Sequence, residues 1–357
     1  MRCMTIAEEL RQRGIFVSFI SREIRGHMCD LIEAKGFTVY RLPRDNRIPV
    51  PRHESSDYSH LLEANSDRDA LETEKIINER DLHADWIIVD HYALDSNWER
   101  AMRPFTRNIM VIDDLADRHH DCEILLDQNL YKNMDIRYDG LIQHHTLKLL
   151  GPEFALLRPE FRNLRKIPRS RNEQIKKFFI FFGGSDPDNE TSKAIEAVAG
   201  YRHENIMVDI VIGASNPNRP AIEAMADQYP YVNCHNNVNY MARLMFEADI
   251  CIGAAGGTTW ERCCLGLPSL VITVAENQVE ATQCLHENNI LYYIGDHLKV
   301  TVNDIRNALD LFYSSPELLN QYTKNSMALV DGMGAHRCID MIQKAERNQV
   351  VQDTKER

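Results

Sequence analysis

What most limits how this chain can fold is a series of short, unbroken apolar runs, separated by stretches with helical spacing. ADWIIVD (84–90), RNIMVIDD (107–114), FFIFF (178–182), MVDIVIG (207–213), ADICIG (248–253) and SLVITV (269–274) are the clearest. A strand with one wet face alternates apolar and polar residues. A run that is apolar throughout is buried on both faces, as in a parallel sheet covered by helices. IFVSFIS (15–21), FTVYRL (37–42), CEILLDQ (122–128) and YVNCH (231–235) complete the set. The alternation predicts an α/β fold of two doubly wound, Rossmann-like domains facing a cleft. A length of 357 residues also exceeds one ordinary domain. We place the first domain at 1–157 and a basic, proline-broken connector at 158–177. The second domain spans 178–345, and a polar tail expected to fray spans 346–357.

Composition narrows the partners. The net charge of −12 argues against nucleic acid or a membrane surface, but not against a small anion in a local pocket. No window approaches the ~18 apolar residues of a membrane span. MRCMTIAEELRQRG carries acids and helical periodicity, unlike a signal peptide. The nine cysteines form no C-x-x-C pair and read as free thiols of a cytoplasmic protein, taken as a monomer. One feature departs from the expected pattern. A doubly wound domain opens with a strand and a glycine turn. This chain opens in a helix, with Cys3, Ile6, Ala7 and Leu10 on one face and Gly14 as its stop. The first strand of the N-terminal domain is therefore expected to be missing.

Candidate chemistry sits where strands end. GAAGGTTWE (253–261) follows ADICIG, and a helix is expected from Thr258 or Thr259. Gly256 and Gly257 have no Cβ to hold a phosphate away, and the helix start offers unpaired N–H groups. The Thr258 hydroxyl can donate, and Glu261 can accept from a ribose diol. A plain turn with a Thr cap and an acid in the first helical turn fits as well. Neither the G-x-G-x-x-G nor the P-loop pattern applies. FFIFFGGSDPDNET (178–191) repeats the physics with Gly183, Gly184 and Ser185, and ENQ (276–278) adds Asn277 and Gln278 as neutral hydrogen-bonders. In the first half, Asp90, His91 and Tyr92 end one strand, and Asp113, Asp114 and Arg118 follow another; such groups can handle protons. Each is also a possible cap. His119–His120 and His144–His145 are adjacent pairs whose side chains diverge, so no metal is expected.

With these residues in view, GAAGGTTWERCCLGLPSLVITVAENQ resembles the nucleotide-binding signature of GT-B glycosyltransferases, in particular the peptidoglycan N-acetylglucosaminyltransferase. IIVDHYALDSNWE, VIDDLADRHHDCEILLDQN, LLGPEFALLRPEF, FFGGSDPDNET and DGMGAHR extend the likeness. Together with MRCMTIAEELRQRG they resemble the UDP-2,4-diacetamido-2,4,6-trideoxy-β-L-altropyranose hydrolases of pseudaminic acid synthesis. That resemblance implies a cytoplasmic, inverting hydrolase of a UDP-sugar, with no metal and no cofactor. It assigns Gly256, Gly257, Thr258 and Glu261 to the diphosphate and ribose, and Asn277 and Gln278 to the nucleotide sugar. Arg158 would meet a phosphate or sugar group, with Gly183, Gly184 and Ser185 lining the sugar-phosphate end. The family's base is a His in G-x-G-H-x-x-R-C, of which only the end matches here, bringing Arg2. His27 lies outside the matching motif, and Tyr92 is the candidate for a remaining catalytic group. A chain without that His is expected to bind UDP-sugar and hydrolyse it poorly. A GT-B transferase, an inactive UDP-sugar binder and a UDP-sugar epimerase are the alternatives.

Overall fold

The computed structural model describes the chain except residues 25, 45–61, 63–64, 172–173, 200–205, 237 and 356–357, and only the backbone of 348–355. Most of the polar stretch 43–59 lies outside the described residues. The chain divides into two compact units. The first comprises Met1–Asn129, Asn133–Leu156 and Gly334–Arg357, and the second Leu130–Lys132 and Leu157–Met333.

The first unit opens with α1 (Arg2–Gln12), which buries Met4, Ile6, Ala7 and Leu10 along one stripe. Gly14 then turns the chain at φ +77°, a backbone state that favours glycine. β1 (Ser18–Arg22), α2 (Cys29–Ala34) and β2 (Thr38–Leu42) form a parallel β–α–β unit. α3 (Ser66–Glu79) is capped by Asn65, whose side chain accepts from the Asp67 N–H. There follow β3 (Ala84–Val89), α4 (Ser96–Met102), β4 (Thr106–Ile112), β5 (Ile124–Asp127) and β6 (Leu147–Leu150). Among the described residues the strands form two parallel sheets, β1–β2 and β3–β4–β5–β6. The central strands β4 and β5 are buried on both faces, as their continuous apolar runs require.

The second unit holds α5 (Pro159–Arg165), β7 (Lys177–Phe181), α6 (Glu190–Ala199), β8 (Met207–Ile212), α7 (Arg219–Ala226) and β9 (Val232–Asn236). Next come α8 (Met241–Glu247), β10 (Ile250–Ala254), α9 (Thr258–Cys264), β11 (Ser269–Thr273) and α10 (Val279–Glu287). β12 (Tyr292–Asp296), α11 (Val302–Ser314) and α12 (Pro316–Leu329) complete it. The sheet is parallel in the order β12–β11–β10–β7–β8–β9. From β7 the chain winds outward to β9, then returns to the other side of β7 and winds outward again. The switch point lies between β7 and β10, where the loops leaving their carboxyl ends diverge.

Three expectations change. Residues 158–177 do not form a separate connector. They include α5, and the buried Arg171 donates to carbonyls of Phe246 and Ala248 at the end of α8 and of Leu265 and Gly266 after α9. The tail does not begin at 346. One helix, α13 (Gly334–Lys355), runs through it and belongs to the first unit. There Ala335, Cys338, Ile339 and Ile342 join Ile6, Leu10 and the β4–β5 core. Trp86 Nε1 also donates to Glu346 at 2.7 Å. Finally, β6 and β12 are strands beyond those expected. Both are sheet edges, where polar residues such as Lys148 and Asp296 interrupt the apolar run.

Candidate functional site

In the second unit, β11, β10 and β7 lie side by side, so their carboxyl-end turns emerge together. The turn after β7 carries Gly183 at φ +93°, with Gly184 and Ser185 exposed. Asp186 and Asn189 also adopt positive φ there, at 43° and 58°. The Asp186 carboxylate caps the following helix by accepting from the Glu190 and Thr191 N–H groups. Gly213 makes room for this turn, because a Cβ at that position would sit 2.1 Å from the Gly184 carbonyl oxygen.

The turn after β10 is barer. Gly256 takes φ +111°, and Gly256 and Gly257 are both exposed. A Cβ on Gly257 would have no heavy atom within 4 Å, so the turn presents open backbone. The helix starts at Thr258, but no side chain caps it, and α9 has seven residues. Its dipole is correspondingly small. Gln278, on the turn after β11, points its amide nitrogen at this loop, 3.9 Å from where a Gly256 Cβ would lie. Its Oε1 accepts from the Val274 N–H, and Asn277 is exposed beside it. Arg158 heads α5 and spans two acids, reaching Glu160 at 3.0 Å and Glu261 at 3.4 Å. Burial raises the Glu261 carboxyl above its usual range, with Arg158 opposing. The structure therefore joins Glu261 to Arg158 and Gly256 to Gln278, and sets the Gly183–Ser185 turn on the adjacent strand.

The first unit gathers side chains instead. Arg2, at the start of α1, donates to Asp90 at 2.5 Å and Asp114 at 3.0 Å, joining the ends of β3 and β4. Burial works against its charge, but the two carboxylates outweigh that and hold the guanidinium firmly ionised. Tyr92 lies beside it, with the Arg2 guanidinium carbon 5.9 Å from the ring centre. The Tyr92 hydroxyl bonds Asp114; burial and that carboxylate raise the phenol above its usual range, so it stays a neutral hydrogen-bond donor to the acid. Arg118 fixes the loop by donating to the Leu94 and His91 carbonyls while pairing with Asp113 at 2.8 Å.

Sequence reasoning missed a layer beneath this cluster. The buried Tyr138 hydroxyl lies 3.1 Å from both Asp113 and Asp127. The phenolic proton points at one carboxylate at a time, so a proton on the other acid would bond back to the phenol oxygen. Arg118 and His120 hold Asp113 ionised against burial, whereas burial pushes Asp127 up to about 7. Of the two, Asp127 is the one inclined to hold a proton, with Arg137 opposing from 3.7 Å. Asn129 ties the layers together, its N–H donating to Asp127 and its side-chain amide to Asp114. Among the described residues no group of three His, Cys, Asp or Glu is arranged to hold a metal ion, and no helix is long and apolar enough to cross a membrane.

The chain's likenesses can be set against this geometry. The solved structures define the class. Acinetobacter baumannii MurG matches with a TM-score of 0.63 at 13% identity over 96% of this chain and 95% of that one. CalG4, the calicheamicin glycosyltransferase, gives 0.58 at 12% over 96% and 94%. The Neisseria meningitidis UDP-GlcNAc 2-epimerase, solved bound to UDP-GlcNAc, gives 0.60 at 13% over 96% of each chain. The fold is thus GT-B-like, with two Rossmann-like domains. No protein-family model matches.

Relatives in sequence are distant. The UDP-2,4-diacetamido-2,4,6-trideoxy-beta-L-altropyranose hydrolase of Campylobacter jejuni is 28% identical over 193 residues, 54% of this chain and 67% of that protein. The spore coat polysaccharide biosynthesis protein SpsG of Bacillus subtilis is 27% identical over 212 residues, covering 58% and 62%. An uncharacterized protein of Methanocaldococcus jannaschii is 25% identical over 285 residues, covering 78% and 53%. The chain spans between about half and two thirds of these relatives' own lengths.

Proposed function

We propose that this protein processes a UDP-linked sugar, the second unit taking the nucleotide and the first handling protons at the sugar. The observation that carries this reading is the pair of glycine turns, 183–184 and 256–257, flanking the β7–β10 switch point. Open α/β sheets bind ligands at such a point, and bare backbone lets a diphosphate approach amide hydrogens closely. In this assignment Gly256, Gly257 and Thr258 hold the diphosphate, and Gly183, Gly184 and Ser185 the sugar-phosphate end. Glu261 and Arg158 hold the ribose side, with Asn277 and Gln278 at the nucleotide sugar.

The reaction we infer is hydrolysis of a UDP-2,4-diacetamido-2,4,6-trideoxy sugar, the substrate class named for the Campylobacter relative. The anomeric C–O bond breaks, and its electron pair leaves on UDP. Water supplies the new C–O bond, and its proton passes to a carboxylate. Asp114 suits that role, since burial raises its affinity for a proton. Tyr92 donates to Asp114 and orients it. Transfer of the sugar to another acceptor is the second reading, favoured by the fold likeness to CalG4.

Incubation with the UDP-diacetamido sugar in heavy-oxygen water tests both readings. Hydrolysis releases UDP and a free sugar labelled at the anomeric carbon. A transferase releases little UDP until an acceptor is added, and an epimerase returns an isomer still bound to UDP. A protein that neither binds UDP nor releases it ends the proposal.

A further inference from the structure

Arg262 is the largest fully buried side chain among the described residues, 1% exposed. It follows Glu261 on α9, and its guanidinium reaches back beneath the 253–257 turn, as helical side chains lean toward the N-terminus. Nη2 donates to the Ala254 carbonyl at 2.9 Å and the Thr259 hydroxyl at 3.0 Å. Nη1 meets only the Cys251 sulfur, at 3.7 Å, and lies 3.0 Å from where a Gly253 Cβ would be. Nε is buried with no partner.

Other buried arginines are better supplied. Arg22 pairs with Asp69 and Glu72, each at 2.6 Å. Arg171 has no carboxylate either, but backbone carbonyls at the ends of two helices surround it, and such ends carry partial negative charge. Arg262 has two oxygens and a sulfur, near the opposite end of a helix. Glu261 lies within its field, yet that carboxylate is bonded to Arg158. A buried cation without a bonded anion is costly, and the cost is relieved when an anion arrives nearby.

We propose that Arg262 is the positioning residue that makes this turn select a diphosphate. Its charge acts through the glycine turn, without touching the ligand, and is balanced when the nucleotide's phosphates settle above it. This rests on the nucleotide reading given above. It goes further in naming a cation, rather than the two-turn helix, as the source of the positive field.

Calorimetric titration of uridine, UMP and UDP into the wild type, Arg262→Lys and Arg262→Gln tests it. Arg262→Gln keeps a polar side chain without the charge. It should weaken UDP about tenfold, leave uridine unchanged, and flatten the gain from each added phosphate. Arg262→Lys should retain most of the wild-type preference. If the wild type fails to bind UDP, the nucleotide reading falls. If it binds but folded Arg262→Gln keeps the wild-type UDP-to-uridine ratio, only the Arg262 proposal falls. Should Arg262→Gln not fold, Arg262→Met, of similar length and without charge, takes its place: it should lose the same roughly tenfold in UDP affinity, and a wild-type UDP-to-uridine ratio in it overturns the proposal.

Discussion

The two units solve opposite problems at their strand ends. The second offers backbone with side chains removed, its Gly256–Gly257 turn open and Arg262 buried beneath. The first offers almost nothing but side chains, with Arg2, Asp90, Asp114 and Tyr92 over a buried Asp113–Tyr138–Asp127 layer. Backbone amides suit a ligand whose charge is fixed, since they need no proton bookkeeping. Coupled carboxylates and a phenol suit a step in which a proton moves. Under the proposed function, a chain carrying both, one in each unit, would separate holding the leaving group from managing the proton. Substitutions in one unit should then leave the other's readout untouched.

The sharpest break comes at Gly256. Its φ of +111° strains any other residue by about 1–3 kcal/mol, and a side chain would also occupy the open turn. Gly256→Val should weaken UDP binding about a hundredfold or more by calorimetry, with a smaller loss of melting temperature. Unchanged affinity in the folded variant would remove the second unit from nucleotide binding. Next in size is Arg2→Met, which leaves Asp90 and Asp114 facing each other without their cation. Both are partly shielded from water, so the loss should be about 2 kcal/mol in urea unfolding. UDP affinity should hold at the wild-type value. A parallel loss of UDP binding would show that the two units do not work independently.

How far the sequence foreshadows this contrast follows from the same physics. The central strands β4, β5, β7 and β10 are readable because burial on both faces forbids polar interruptions. The glycine turns are readable because a missing Cβ is itself the signal. The edge strands β6 and β12 are not, since each is short and carries a polar residue, Lys148 or Asp296, whereas the edge strands β3 and β9 keep enough of the pattern to be read. The first unit's cluster is harder still. Arg2 meets residues 88 and 112 positions away, and no local pattern encodes such a pairing. Asp127 reads as the polar end of a strand and Tyr138 as a loop aromatic; only the fold makes them share a proton. Arg262 is concealed differently, because an Arg after Glu on a short helix reads as a solvated residue. The available hint is that nearly every neighbour in RCCLGLPSL is small or apolar, leaving the helix little exposed face.

Asp127 gives the next test, through pH. In the folded chain it keeps its proton up to about 7, whereas an unfolded Asp releases it near ~4. Between those values the folded state binds the extra proton. The stability contributed by the neutral carboxyl, full below about pH 4, is therefore lost as pH rises through about 7. Asp127→Asn mimics the neutral form and cannot ionise. Urea unfolding should show the two proteins alike at about pH 4 and below. At pH 8 the variant should be the more stable, by up to about 4 kcal/mol. Parallel curves across that range would mean that Asp127 holds no proton and that the layer beneath Asp114 is charged throughout.

The smallest expected effect is the most discriminating about chemistry. Tyr92→Phe deletes one hydrogen bond to Asp114, worth about 1 kcal/mol. That bond favours the Asp114 carboxylate, so its loss moves the acid toward its protonated form. If Asp114 takes the proton from water, the acidic limb of the kcat/KM profile should move upward by less than about one pH unit, while the affinity for UDP stays fixed. If Tyr92 were instead the base, the variant would lose turnover at every pH and the limb would have nothing left to report. The raised phenol argues for the first outcome, because a group that resists ionising at neutral pH gives up a hydrogen bond far more readily than it accepts a proton.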